Sequence, residues 1–216
     1  MASRRFSRLR LAVILLIGAV CIFAADWYRR SKRPTPAPAE VQKEGIERVR
    51  AILEKVTASE FGQSERGKTL SATIRRFMER GRLIFTAAIS PQALYRREFL
   101  GYDALYVKTM EIGGRLVLRD DEIMAEGVFH EAVHAVRGGS ERASIEEECD
   151  GFAAGLAAGA AVTGTQLPDL LLIDGKPIAD FVQKAYPRNP RSPDYQPVGE
   201  TREWLLRRAG LMRPPH

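Results

Sequence analysis

Hydrophobic positions divide this chain into segments with different periods. Residues 11–25, "LAVILLIGAVCIFAA", form fifteen positions without a charge, and "SKRPTPAPAE" (31–40) follows with three prolines among small residues. That composition predicts an extended, fairly stiff spacer. From residue 41, Val41, Ile46, Val49, Ile52, Leu53 and Val56 recur at helical spacing, predicting an amphipathic helix. A second helix is expected over 68–80, closed by Gly81. The period then changes. "RLIFTAAIS" (82–90), "DALYVKTMEI" (103–112) and "GRLVLRD" (114–120) are short, apolar and bounded by Pro91, Gly101 and Gly113-Gly114, which predicts two or three strands in one small antiparallel sheet. The Gly-Gly pair favours a hairpin.

Helical spacing returns at "EIMAEGVFHEAVHAV" (122–136), with Asp120 or Asp121 suited to cap its start and "RGGS" to end it. Another helix is expected from Ser144 through "IEEECDGFAAGLAAGAAV", whose small residues allow close packing, as far as Gly164. The tail should add helices near 178–185 and 200–208 around a proline-rich loop. No longer repeat is present, which excludes a solenoid. The pattern therefore predicts three parts: an apolar segment (1–30), a Pro-rich linker (31–40) and one α+β domain (41–216), of a size to bury a core of its own.

Charge changes the reading of the first part. The net +6 (33 basic, 27 acidic) is not spread over the chain. Residues 1–33 hold eight Arg or Lys against Asp26, giving +7, and the remainder holds 25 basic and 26 acidic residues, giving −1. A phosphate-tracking domain needs its excess on a folded face, so a nucleic-acid partner is not expected. The basic residues bracket the apolar run instead. A cut after Ala24 or Ala25 would place Ile22 or Phe23 three positions before it, where a cleavage site requires a small residue. With Trp27 and Tyr28 as interfacial anchors, the run reads as an uncleaved signal anchor. One N-terminal transmembrane helix is thus expected, placing the protein in the membrane as a single-pass chain with its large domain outside the cytoplasm. Cys21 and Cys149 are too differently placed for an intramolecular disulfide.

The candidate chemistry lies in "HEAVH". His130 and His134 sit four apart, so on a helix they point the same way from successive turns and can approach one metal ion from one side. Glu131 is turned about 100° from His130, outside the ligand set but near the place of a bound water. A catalytic zinc takes a third protein ligand. The remaining histidine is His216, at the terminus, so the third ligand is expected to be acidic, from "SIEEECDGFAAGL". Glu146 and Asp150 share a face of the second helix. Glu146 is assigned as ligand and Asp150 as the carboxylate that accepts from a ligating imidazole. Cys149 is a softer but less favoured ligand, and Glu147 and Glu148 are read as solvated.

"HEAVH" followed by "EEECDGFAAGL" resembles the gluzincin metallopeptidases, in particular the E-x-E-A-D/N-x-F-A-A-x-L pattern of ImmA/IrrE-like proteins and the E-x-x-x-D of membrane CAAX proteases. The likeness covers roughly residues 114–156. It differs in Cys149, where those families usually have Ala, and in the short spacer of eleven residues between His134 and Glu146. The resemblance implies a zincin-like catalytic domain with Zn2+ on His130, His134 and Glu146. The expected function is a membrane-tethered endopeptidase, with Glu131 as general base toward a metal-activated water and a protein or peptide as substrate. The strand before the helix, 114–120, is expected to pair with an extended substrate. Two other classes stay open: a catalytically silent zincin-fold binding module, and a metal-free helical adaptor in which the histidine spacing is accidental.

Overall fold

The structure is a computed structural model. It describes residues 33–97, 103–138 and 143–166, together with 16–18, 20–25, 27–28, 31, 172–173, 176–177, 182 and 184. The chain divides into two units, one of residues 1–34 and 98–102 and the other of 35–97 and 103–216.

In the first unit the described residues between 16 and 31 are helical, with Leu16, Ile17, Val20, Phe23, Trp27 and Tyr28 exposed. Among the described residues no helix is long and apolar enough to cross a membrane. Fifteen uncharged residues at about 1.5 Å each make roughly 22 Å of helix, short of the roughly 30 Å hydrocarbon core. The expected transmembrane anchor, the single-pass membrane assignment and the placement of the domain outside the cytoplasm are therefore corrected: the described structure does not support them.

The second unit is built on helices. α1 (Ala39–Ala58) buries Val49, Ile52, Leu53 and Val56, the stripe its spacing predicts. The end of the expected spacer is docked: the Ala37 N–H donates to the Phe85 carbonyl at 2.8 Å and the Thr86 hydroxyl donates to the Thr35 carbonyl at 2.6 Å. Two short-range caps then restart the helix. Ser59 Oγ accepts from the Gly62 N–H at the head of α2 (Glu60–Gln63), and Ser64 Oγ accepts from the Gly67 N–H at the head of α3 (Glu65–Glu79). Leu70, Ile74 and Phe77 of α3 close on α1 in the same core. Gly81 follows with a positive φ of 61°, as a helix end requires.

The sheet departs from expectation. β1 (Leu83–Thr86) pairs in parallel with β3 (Asp103–Lys108), and β2 (Ala93–Arg97) pairs antiparallel with the other edge of β3, giving the order β1-β3-β2. The sheet is mixed rather than antiparallel, and "ALYRR" is a strand that the hydrophobic pattern does not announce. Its polar residues are tolerated because β2 is an edge strand with only Ala93 fully buried. The expected 103–112 strand divides at Thr109. Its end, β4 (Met110–Ile112), forms a separate hairpin with β5 (Arg115–Val117) around Gly113-Gly114, whose φ values of 58° and 77° suit a turn that only glycine adopts at little cost. A further short pair, β6 (Leu172–Ile173) and β7 (Lys176–Pro177), lies in the tail. The expected helix over 200–208, most of that over 178–185, and His216 lie outside the described residues.

α4 (Asp121–Val136) and α5 (Ile145–Thr163) are the pair that carries the chemistry. α4 buries Met124, Val128, Phe129 and Val133 in the core, and Arg48 ties its first turn to α1 through Asp121 Oδ1 and the Arg119 carbonyl, both at 2.8 Å. α5 starts where expected. The Ser144 hydroxyl accepts from the Glu147 N–H at 3.1 Å, and Gly164 ends the helix with a φ of 71°. Along α5, Gly151, Gly155 and Gly159 form a stripe that lets α4 approach: a methyl group at Gly155 would stand 2.6 Å from the Glu126 carbonyl oxygen. Side chains larger than hydrogen are excluded there by backbone, which cannot retreat.

Candidate metal centre

His130 and His134 project from successive turns of α4 with their ring centroids 5.1 Å apart. Opposite them stands Glu148 of α5, with Oε2 at 3.3 Å from His130 Nε2 and 3.8 Å from His134 Nε2. One ligand atom from each of the three lies within 4.8 Å of the others, so the group could hold a metal ion. The third acid is Glu148 and not the expected Glu146.

Helical phase accounts for the difference. At about 100° per residue, the stripe Gly151–Gly155–Gly159 fixes the face of α5 that meets α4, and Glu148 lies within roughly 60° of every member of it. Glu146 lies about 160° from Glu148 on the same count and therefore turns away. Asp150 turns away with it. Its buried carboxylate is held by Arg137, in a short ion pair, with the Arg66 guanidinium 3.8 Å away. The place beside an imidazole expected of Asp150 is taken by Glu147, whose Oε1 lies 2.7 Å from His134 Nδ1. Glu147 and Glu148 are buried, at 8% and 6% exposure, rather than solvated. The signal that finds them is present in the sequence: the phase of the four-residue glycine repeat, extrapolated back one turn.

The three donor atoms fit a cation. With Glu147 as acceptor, His134 carries its proton on Nδ1, which leaves the Nε2 lone pair facing the cluster. Among the described residues Glu148 Oε2 is buried with no hydrogen-bond partner. Lone pairs and a carboxylate oxygen so close together, away from water, are costly unless a positive charge stands among them. The His130 ring is fixed from two further sides, edge-on to Phe152 at 4.6 Å and over Gly151, where a methyl group would come within 2.9 Å of Cε1 and Nε2.

Glu131 occupies the place its helical angle implies. Its Oε2 accepts from the backbone N–H of Tyr95 on β2 at 2.6 Å, so the edge strand, and not the expected 114–120 segment, borders the site. Burial pushes the Glu131 carboxyl up to about 7, further helped by the nearby Glu148 charge and opposed by His134 and the Tyr95 N–H. Two cavities open onto the cluster. One of about 360 Å³ lies between β2 and the His134–Glu147–Glu148 side, and the other, of about 410 Å³, runs along the α4–α5 seam past His130. Both are lined by Pro91, Ala93, His130 and Glu131.

No protein-family model, curated protein or solved structure matches the chain. The functional reading therefore stands on the residues and their geometry.

Proposed function

We propose that this protein is a zinc-dependent peptidase of the gluzincin type, with His130, His134 and Glu148 as metal ligands and Glu131 as general base. The observation that carries the reading is the convergence of two imidazole nitrogens and one buried carboxylate oxygen beneath an edge strand, with a second carboxylate of raised pKa at the rim. Two histidines and one acid form a ligand set suited to catalytic zinc, which leaves a coordination position open. Zinc bound there would supply an electrophile for a carbonyl and acidify a water. Glu131, held by the Tyr95 N–H, would take a proton from the attacking water and deliver it to a leaving amine. Glu147 holds His134 in the required tautomer, and Phe152 and Gly151 hold the His130 ring. Among the described strands β2 is a sheet edge beside Glu131, which suits an extended polypeptide as substrate. A metal-holding module without turnover has the same ligands, but gives no role to Glu131.

The test is metal analysis and peptide cleavage on the full chain. About one equivalent of zinc is expected. Glu148→Gln should weaken zinc binding by more than the roughly 10- to 100-fold typical of an outer partner, and Glu146→Gln by less than about threefold. Glu131→Gln should keep the metal and lose about 100- to 10,000-fold in cleavage. Cleavage by Glu131→Gln at the parent rate would overturn the mechanism, and undiminished zinc affinity in Glu148→Gln would overturn the ligand assignment.

A further inference from the structure

The seam cavity has a feature that metal binding and proton transfer do not use. Its walls are largely apolar, formed by Pro91, Ala93, Phe152 and Leu156 with the bare backbone of Gly127 and Gly155. Into this lining α4 sets one further carboxylate, Glu126, one turn before His130. Its stem lies along α5: a methyl group at Gly159 would stand 3.0 Å from Glu126 Cγ and 3.1 Å from Oε1. His130 rests on Gly151, eight residues earlier in the same helix, so the cavity runs from the metal cluster toward the acid along the seam. Glu126 is half-buried, and no ion pair with a described cation is present; the neighbouring charge is Glu122, of the same sign. An under-solvated carboxylate in an apolar channel is stabilised by a cation that reaches it, and the apolar walls suit the methylene stem such a cation would carry. The two side chains meet α5 at Gly151 and Gly159, eight residues or about 12 Å apart, a span that suits the long side chain of Lys or Arg and not a short one.

We propose that Glu126 makes the seam cavity a specificity pocket for a basic side chain, so that the peptidase prefers Lys or Arg at the substrate position next to the bond being cut. The inference rests on the peptidase reading and adds the class of substrate to it. The apolar lining provides area, and the acid provides discrimination: a neutral branched side chain fills the same volume but leaves Glu126 without its partner.

The experiment has a cleavage arm and a binding arm, both on the zinc-loaded full chain. In the first, peptides differing only in Lys, Arg, Leu or Glu at each position flanking the bond are compared by kcat/KM. The parent should favour Lys or Arg over Leu by about tenfold or more at one position. Glu126→Gln should bind zinc as the parent does while its preference falls below about twofold. In the second arm, peptide hydroxamates with an aminobutyl or an isobutyl side chain beside the chelating group are titrated by calorimetry. The aminobutyl compound should bind about tenfold more tightly to the parent and equally to Glu126→Gln. Cleavage that favours Leu, or a basic preference that survives Glu126→Gln, overturns the inference and leaves the peptidase reading intact. Glu126-dependent preference for the aminobutyl compound without cleavage of any peptide overturns the peptidase reading and upholds the pocket. Failure of the zinc-loaded chain to bind either hydroxamate overturns both.

Discussion

Gly151→Ala separates what helix propensity demands from what the metal site demands. In an ordinary helix interior, alanine is more favourable than glycine by about 1 kcal/mol. At this position the new methyl group would lie 2.9 Å from both Cε1 and Nε2 of His130 and 3.0 Å from Cδ2. Carbon atoms rest at roughly 3.5–4.0 Å, so the ring must move by about 0.5 Å or more. Metal–ligand distances tolerate only about ±0.2 Å. In the metal-free protein the ring is the end of a side chain and can swing aside, so overpacking of order 1 kcal/mol or slightly more is offset by the propensity gain. The unfolding free energy of the metal-free variant should therefore stay within about 1 kcal/mol of the parent. With metal bound the ring has no such freedom, and zinc affinity should fall by at least about tenfold, or 1.4 kcal/mol. Competition of the full-length variant against a chromogenic chelator gives the affinity, and thermal unfolding with and without zinc gives the stabilities. A variant that unfolds as the parent does and also binds zinc within twofold of it would refute the placement of His130 over Gly151.

Two further outcomes follow from groups beside the ligands. Glu147→Ala removes the acceptor from His134 Nδ1 and should weaken metal binding by about 10- to 100-fold, whereas Glu147→Gln keeps an acceptor oxygen and should lose less than about tenfold, both read by the same chelator competition. In the metal-free protein, Glu131 titrates near 7 against an ordinary 4.5, so the folded state binds more protons than the unfolded state between those values. Its contribution to stability is greatest below about pH 4.5 and falls as pH rises through that window, by at most about 3 kcal/mol for the 2.5-unit difference. Denaturant unfolding of the metal-free parent and Glu131→Gln at several pH values should show the slope in the parent and a flatter profile in the variant; equal slopes would exclude Glu131 as its source.

Helices α1, α3, α4 and α5 were legible from the sequence because each signal is local. The apolar stripe of α1, the glycine after α3, the Gly-Gly hairpin and the serine that caps α5 all act within one or two turns, so the chain announces them wherever it is placed. His130, Glu131 and His134 were legible for the same reason, since four residues on a helix already set two imidazoles on one side. The sheet was not. Pairing between residues twenty-two apart in sequence decides that "LIFT" runs parallel to "DALYVK", and burial of one residue in five lets "ALYRR" serve as an edge strand. That strand, in turn, supplies the Tyr95 N–H to Glu131.

The acid that joins His130 and His134 stands between these cases. The sequence by itself narrowed the third member of the cluster to "IEEECD", because the remaining histidine stands at the terminus. Which acid was decided by the rotation of α5 about its own axis, and that rotation is set where Gly155 must lie against the backbone of Glu126. Close packing of two helices admits one phase, and that phase turns Glu148 toward the histidines, Glu147 onto His134 and Glu146 and Asp150 away.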